Sequence, residues 1–168
     1  SMGLDLVNNV NTIYFTNAQK AELMALRGAF LCKMRQFEKA EASFYSSIRM
    51  EFNTKKAWAL WARFYETIFK DNPQDYESAA NAVNCYMQAA VMFNDAGNRN
   101  FISRIIWLLS QSDENGTIAQ VFTNYESKTP IWYWITFIPN LLSFTTKEAQ
   151  CAHLLLMRIA RQYPQVFT

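Results

Sequence analysis

Apolar residues recur at spacings of three and four along most of this chain, which is the pattern of amphipathic α-helices, and strand-like alternation is nearly absent. Thr16 and Gln19 have the spacing of a capping box. The apolar stripe that follows them predicts a helix over about residues 17–35. A tight break at Arg35 and Gln36 should separate this helix from the next.

Seven further helices are predicted in the same way. They are marked by Phe37, Trp58, Ala79, Ile102, Ile118, Pro130 and Leu154. Asn53 or Thr54 can cap the helix of Trp58. Pro73 should open the helix of Ala79, from about Gln74 to Asn94, because proline is favoured at a first helical position.

The last two helices contain signals of their own. Pro139 should kink or end the helix that Pro130 opens, because proline lacks an amide donor and its ring clashes with the preceding turn. Thr145 with Glu148 forms a second capping box. The chain is therefore expected to be all-α with about eight helices, and with nine if residues 4–14 fold as one more.

The first helices also contain a repeat with the spacings of tetratricopeptide repeats (TPRs). Gly28 is a small residue that lets a second helix pack closely, and Ala40 and Phe44 follow it at the distances that fill such a contact. A second unit begins 34 residues later and contains an insertion of about eight residues. The predicted packing positions are Gly28, Ala40, Phe44, Trp58, Ala62, Tyr65, Ala82 and Tyr86.

The repeat period is lost beyond Gly97, although helix pairs continue. We therefore expect TPR-like helix pairs over residues 3–97 and irregular HEAT-like pairs over residues 98–168, in one continuous α-α superhelix that belongs to a larger domain. Ser1 and Met2 resemble an expression-tag scar.

Composition narrows the possible functions. Of the 168 residues, 51% are hydrophobic, and the 16 basic and 14 acidic residues leave a net charge of only +2. The basic residues are scattered singly, so neither nucleic acid nor an anionic membrane surface is an expected partner. The segment 130–144 is too short and too polar to cross a bilayer, and no signal peptide is present.

The cysteines and the only histidine do not form an obvious catalytic pair. Cys32, Cys85 and Cys151 each lie in an apolar stretch, which favours buried thiols in a reducing compartment. His153 is two residues from Cys151, and this spacing on a helix directs the two side chains to nearly opposite sides. A distant pairing of His153 with Cys32 or Cys85 stays open.

Other candidate chemistry is absent or has a simpler interpretation. The sequence contains no glycine-rich phosphate loop, no metal-binding spacing of Cys and His, and no nucleophile elbow, so we expect no enzyme, cofactor, metal site or small-molecule ligand. Asp113 and Glu114 precede a helix and are interpreted as capping residues rather than as an acid–base pair. The sequon Asn115-Gly116-Thr117 is interpreted as a turn.

Some TPR modules hold a peptide carboxylate with Lys, Arg and Asn side chains that face the groove. The equivalent positions here are Ala25 and Ala29 in one repeat and Ala59 and Arg63 in the next, so that clamp is missing. Binding of a peptide or helix in the groove by other contacts stays open.

The aromatic run Trp132, Tyr133 and Trp134 is a candidate interdomain contact. Three successive aromatic residues on a helix point in three directions and cannot all face one core. At least one should reach the surface or a neighbouring domain.

Five short segments follow one another in a distinctive order along the chain. They are Tyr14-Phe15-Thr16 with Gln19-Lys20-Ala21-Glu22, Lys56-Ala57-Trp58 with Trp61, Trp-Leu-Leu-Ser at 107–110, Ile138-Pro139 with Leu141-Leu142, and Tyr163-Pro164-Gln165. Together they resemble the FAT region of the PIKK family of kinases, over about residues 4–167. The segment 107–110 and the acidic connector after it are most similar to a branch of the family whose kinase-like domain has lost its catalytic residues.

This resemblance implies a piece of a very large nuclear scaffold, which sits in histone acetyltransferase complexes and receives transcription activators. The expected partners are protein subunits of such a complex and the neighbouring FAT and kinase-like domains of the same polypeptide. Two alternatives stay open: a FAT segment of a catalytically active PIKK serine/threonine kinase, and a free-standing TPR-type peptide-binding module. The first depends on whether the parent retains the catalytic and metal-binding Asp of a kinase.

Overall fold

The computed structural model of this chain describes residues 2–92, 99–111, 114–126, 135, 142, 149–162 and 164–166. Within these ranges there are eight α-helices, one short 3-10 helix and no β-strand. The α-helices are α1 (Met2–Asn9), α2 (Asn17–Lys33), α3 (Phe37–Met50), α4 (Lys55–Asp71), α5 (Tyr76–Met92), α6 (Arg99–Ser110), α7 (Thr117–Glu126) and α8 (Ala149–Gln162), and the 3-10 helix is Pro164–Val166. The all-α prediction is confirmed.

The start and the end of α2 follow from local chemistry. The Thr16 hydroxyl accepts a hydrogen bond from the Gln19 amide at 3.2 Å, and the Gln19 side chain accepts one from the Thr16 amide at 2.9 Å. This arrangement confirms the predicted capping box. After α2, Arg35 adopts a left-handed backbone conformation with φ of 62°, which turns the chain sharply into α3. Its guanidinium stays anchored by an ion pair of 2.9 Å with Asp71 at the end of α4.

Two predicted helix starts differ from the structure. Thr54 directly precedes α4, but its hydroxyl donates to the Glu51 carbonyl at 3.0 Å instead of accepting from the first turn of the helix. Pro73 lies in a turn and does not open α5. The cap of α5 is Asp75, whose carboxylate accepts from the Ser78 amide at 3.0 Å and from the Ser78 hydroxyl at 2.8 Å. The start of α5 is set by Asp75 because its carboxylate satisfies two hydrogen-bond donors, which outweighs the weaker preference of proline for a first helical position.

The helices from α2 to α5 pack as two consecutive pairs that stack on each other, as in a helical-repeat superhelix. The tightest pairs are α2 with α3 and α4 with α5, while α2 also contacts α4 and α5 contacts both α6 and α7. Two apolar clusters fill the spaces between the pairs, one around Phe44 and Phe64 and the other around Tyr86 and Ile105. The first helices of these two pairs, α2 and α4, therefore lie side by side.

Several predictions concern residues outside the described ranges. They are the end of the α5 helix near Asn94, the helix opened by Pro130, its kink at Pro139 and the capping box of Thr145 with Glu148. In the part of the chain that the structure does describe, no helix combines the length and the apolar character needed to cross a membrane.

Aromatic rings on α4 stack in a ladder that joins the two clusters. The ring centroids of Trp58 and Trp61 are 5.7 Å apart, and those of Trp61 and Tyr65 are 5.9 Å apart. The two indoles differ in their polar atoms. The Trp58 Nε1–H donates to the Phe52 carbonyl at 2.9 Å, whereas the buried Nε1 of Trp61 has no acceptor among the described residues.

We expect Trp58→Phe to lower the free energy of unfolding by about 1 kcal/mol more than Trp61→Phe does. Both substitutions remove the same ring atoms, but only the first breaks a hydrogen bond, and the second removes a buried donor without an acceptor. Urea unfolding of the two variants measures this difference. An equal or larger loss for Trp61→Phe would contradict it.

Candidate functional site

The most unusual side chain in the core is the carboxylate of Glu66 on α4. Glu66 lies four residues after Ala62 and three before Phe69, so it shares their inward face, and it is only 5% exposed. A buried carboxylate costs several kcal/mol unless partners satisfy it. The fold supplies these partners from three helices.

Three donors surround the Glu66 carboxylate. The Tyr86 hydroxyl on α5 donates to it at 2.8 Å, and the Lys70 ammonium one turn along α4 lies at 2.9 Å. From α6, the Arg104 guanidinium binds both carboxylate oxygens, with Nε at 3.2 Å from Oε2 and Nη2 in contact with Oε1. The bidentate pair links α4 to α6 directly.

Burial is the largest influence on the pKa of Glu66 and acts to raise it, but the hydrogen bonds from Arg104, Lys70 and Tyr86 together outweigh it and leave the pKa below its usual value. Burial, and then the adjacent carboxylate, raise the pKa of Tyr86. The hydrogen bond to Glu66 raises the pKa of Arg104. All three shifts favour an ionised Glu66, a neutral Tyr86 and a charged Arg104.

An indole lies against the cationic side of this network. The Arg104 guanidinium carbon lies 4.6 Å from the centre of the Trp107 ring, and the Lys70 nitrogen lies 5.5 Å from it. Both distances are within the range of cation–π attraction. Trp107 also contacts Phe69 edge-on at 6.3 Å, which couples the charged network to the apolar core.

A cleft of about 630 Å³ opens beside the network. Its lining comes from α4, α5 and α6, and consists of Arg63, Glu66, Thr67, Lys70, Tyr86, Asn100, Phe101, Ser103 and Arg104. Two neighbouring clefts, of about 590 Å³ and about 310 Å³, lie between α2 and α4. All three share the exposed side chain of Arg63.

The Glu66 carboxylate is poorly suited to act as a general base. A general base works best with a pKa near the operating pH, whereas the Glu66 pKa is lowered and its oxygens already accept from three donors. The described residues include no group of three or more His, Cys, Asp or Glu side chains placed to hold a metal ion.

The predicted packing positions lie in or against the two apolar clusters. Gly28 on α2 faces Phe44 on α3, because a Cβ built on Gly28 would lie 2.9 Å from the Phe44 ring. The remaining positions Ala40, Trp58, Ala62, Ala82 and Tyr86 are buried, and Tyr65 is half-buried. The Tyr65 hydroxyl donates to Glu41 at 2.6 Å.

The aromatic run Trp132, Tyr133 and Trp134 lies outside the described residues, and so does Asp113. The predicted turn at Asn115 is present, and Gly116 adopts a positive φ of 69° there.

The two thiols that the structure describes, those of Cys32 and Cys85, are poorly suited to nucleophilic chemistry. Burial raises the pKa of Cys85, which is buried on α5, and the pKa of the half-buried Cys32. A raised pKa opposes the thiolate that a nucleophile requires. His153 is exposed on α8.

The sequence pattern identifies Arg63 only as one of four positions equivalent to the TPR clamp, and it does not reveal the hydrogen-bonded network around Glu66. Of the other clamp-equivalent positions, Ala25 is buried, and Ala29 and Ala59 are half-buried. The available signal was a carboxylate at helical spacing from Ala62 within an otherwise apolar stripe. Such a position requires a buried partner, although the pattern does not reveal which one.

Comparison with known protein families identifies the chain. A sequence model of the FAT domain matches residues 1–107. The chain belongs to the FAT domain family. This confirms the family expected from the ordered segments between Tyr14 and Gln165.

This FAT domain chain is similar to curated proteins from yeasts and animals. It is 41% identical to the SAGA complex/NuA4 acetyltransferase complex subunit TRA1 of Saccharomyces cerevisiae, and 38% identical to Tra1 of Schizosaccharomyces pombe. It is 32% identical to the human transformation/transcription domain-associated protein (TRRAP). Each alignment covers 97% of this chain but only 4% of the relative, so the chain spans a small part of the proteins it matches.

Proposed function

We propose that this FAT domain chain is a non-catalytic scaffold segment of a TRRAP-like pseudokinase. It contributes protein–protein contacts in a nuclear histone acetyltransferase complex that acts as a transcription coactivator. The observation that carries the proposal is the 41% identity, along 97% of the chain, to a protein named as a subunit of both SAGA and NuA4. The proposed partners are other subunits of the complex, transcription activators, and neighbouring FAT and kinase-like domains.

The stacked helix pairs support a scaffold role on physical grounds. A single helix pair cannot bury its apolar face alone, so the pairs stack and form extended surfaces that other proteins can contact. We propose that residues 3–97 are the TPR-like part and residues 98–168 the HEAT-like part of one solenoid. The positions Gly28, Ala40, Phe44, Trp58, Ala62, Tyr65, Ala82 and Tyr86 are its repeat packing contacts.

Cross-linking mass spectrometry on the endogenous complex tests the scaffold role. Exposed lysines on different faces serve as reporters, with Lys39 on α3 and Lys33 and Lys70 on the first helices of two pairs. We expect cross-links from at least one of them to a subunit of an acetyltransferase complex. Recovery of cross-links within this segment, but of none to any such subunit, would contradict the proposal.

A further inference from the structure

The three clefts that meet at Arg63 form one groove along the exposed side of α4, which we call the Arg63 groove. Its floor is α4 from Lys56 to Lys70, and its walls come from α2 and α6. At 1.5 Å per residue, this stretch of α4 is roughly 21 Å long, or about four helical turns. The groove is therefore long enough for a second helix of about 14 residues.

The cleft of the Arg63 groove beside α6 is positively charged. Arg63, Lys70 and Arg104 line the cleft beside α6, and Glu66 is its only acidic lining residue. The cleft therefore has an excess of two positive charges, as many as the net charge of the whole chain. Lys70 and Arg104 share one carboxylate, and their side chains are still 56% and 37% exposed. Arg63 has no carboxylate partner among the described residues.

The side of the Arg63 groove towards α2 combines apolar side chains with charged ones. The cleft of about 310 Å³ is lined by the half-buried side chains of Leu26, Ala29, Phe30 and Leu60, together with the exposed Lys33. The cleft of about 590 Å³ also contains Glu22, Lys55 and Lys56. Phe101 of α6 lines both the cleft of about 630 Å³ beside α6 and the cleft of about 590 Å³. An occupant of the groove therefore meets apolar side chains towards α2, and an excess of positive charge along the whole groove.

We propose that the Arg63 groove binds an acidic amphipathic helix of a partner protein. The apolar side chains of that helix lie against Leu26 and Leu60, and its carboxylates face Arg63 and the exposed edge of Arg104. Charge complementarity favours acidic partners over neutral ones. The inference rests on the proposed scaffold function and specifies the chemistry of one partner.

The experiment uses two labelled 15-residue peptides as probes. In the first, Glu residues occupy one face and Leu residues the other at helical spacing; in the second, every Glu is replaced by Gln. Fluorescence anisotropy with the 168-residue chain measures the affinity of each peptide. We expect the Glu peptide to bind at least about tenfold more tightly than the Gln peptide, with an affinity that falls as salt is added. Equal affinity of the two peptides would overturn the proposal.

Two charge-reversal variants distinguish binding in the Arg63 groove from attraction to the overall charge of the chain. Arg63→Glu should weaken binding of the Glu peptide at least about tenfold, while Arg49→Glu should change it by less than about twofold. Both variants change the net charge equally, but the exposed Arg49 is on α3, where it stacks on Tyr45 at 5.9 Å outside the groove. Equal weakening by both variants would indicate non-specific electrostatic attraction and would contradict binding in the Arg63 groove.

Further controls address folding and other ligands. Thermal unfolding checks that Arg63→Glu is folded, and Arg63→Gln, which adds no charge, replaces it if it is not. A single-stranded oligonucleotide that binds as tightly as the Glu peptide would contradict recognition of a protein helix. Failure of peptide binding while the cross-links to acetyltransferase-complex subunits persist would overturn this inference alone and leave the scaffold function in place.

Discussion

Replacing Glu66 by alanine is expected to lower the free energy of unfolding by about 2–4 kcal/mol. The substitution leaves the Tyr86 hydroxyl buried without its acceptor and removes the anion that Arg104 and Lys70 share. The loss should fall short of that for a fully buried ion pair, because the side chains of Arg104 and Lys70 are 37% and 56% exposed and can be solvated. Urea unfolding monitored by circular dichroism measures the change.

Glu41→Ala is the matched control for this prediction. Glu41 is an exposed carboxylate on α3 that also accepts a hydrogen bond from a tyrosine hydroxyl, at 2.6 Å from Tyr65. Because water replaces the lost contact at an exposed position, we expect Glu41→Ala to cost less than about 1 kcal/mol. If Glu41→Ala and Glu66→Ala lower the free energy of unfolding equally, the buried network contributes no more to stability than an exposed hydrogen bond, which would contradict the prediction.

The pH dependence gives the Glu66 prediction a second readout. The folded-state pKa of Glu66 is lower than the ordinary value of 4.5, so the folded state favours the ionised carboxylate. The stabilisation is therefore complete above about pH 4.5 and is lost as the pH falls through the folded-state pKa. The difference in stability between the unaltered chain and Glu66→Gln should shrink as the pH is lowered below 4.5. A difference that grows towards low pH would contradict the direction of the shift.

Phe44→Ala is expected to lower the free energy of unfolding by about 3–5 kcal/mol. The ring is 1% exposed and lies between two other aromatic side chains, with its centroid 5.6 Å from that of Phe64 and 6.3 Å from that of Trp61. Its removal leaves a cavity between α2, α3 and α4 that the stacked aromatic rings cannot close. Chemical denaturation measures this loss.

Gly28→Ala on two backgrounds tests the contact itself. In the unaltered chain the new Cβ would lie 2.9 Å from the Phe44 ring, so we expect a loss of about 1–2 kcal/mol from overpacking. On the Phe44→Ala background the ring is absent, and the same substitution should stabilise α2 by about 0.5–1 kcal/mol through the helix propensity of alanine. A loss of equal size on both backgrounds would show that Gly28 matters for a reason other than close packing.

The helices were predictable because their signals are local. The capping box at Thr16, the turn at Arg35 and the apolar stripe of α4 all depend on residues within a few positions of one another. Competition between neighbouring signals was harder to judge. The cap at Asp75 prevailed over Pro73 as the start of α5 because Ser78 supplies two donors to the Asp75 carboxylate, a detail that residue preferences do not contain.

The site was only partly predictable for a related reason. The spacing of Gly28, Ala40 and Phe44 follows from how any two helices of a repeat must approach, so the repeat itself reveals it. Arg104, the partner of Glu66 on α6, is 38 residues away from it, and no period in the sequence connects the two positions. Only the stacking of one helix pair on the next brings them together.

The sequence by itself determined that the chain is all-α, with repeated helix pairs, and that it belongs to the FAT domain family. Hydrophobic periodicity, helix caps and ordered motifs depend only on the order of residues along the chain. The tertiary structure alone decided where the charge is. Basic residues that are scattered singly along the chain meet in one cleft once α4 packs beside α6, and Arg63 then lies at the centre of a groove. Electrostatic interaction depends on distance in space, so a nearly neutral composition does not exclude a locally positive surface.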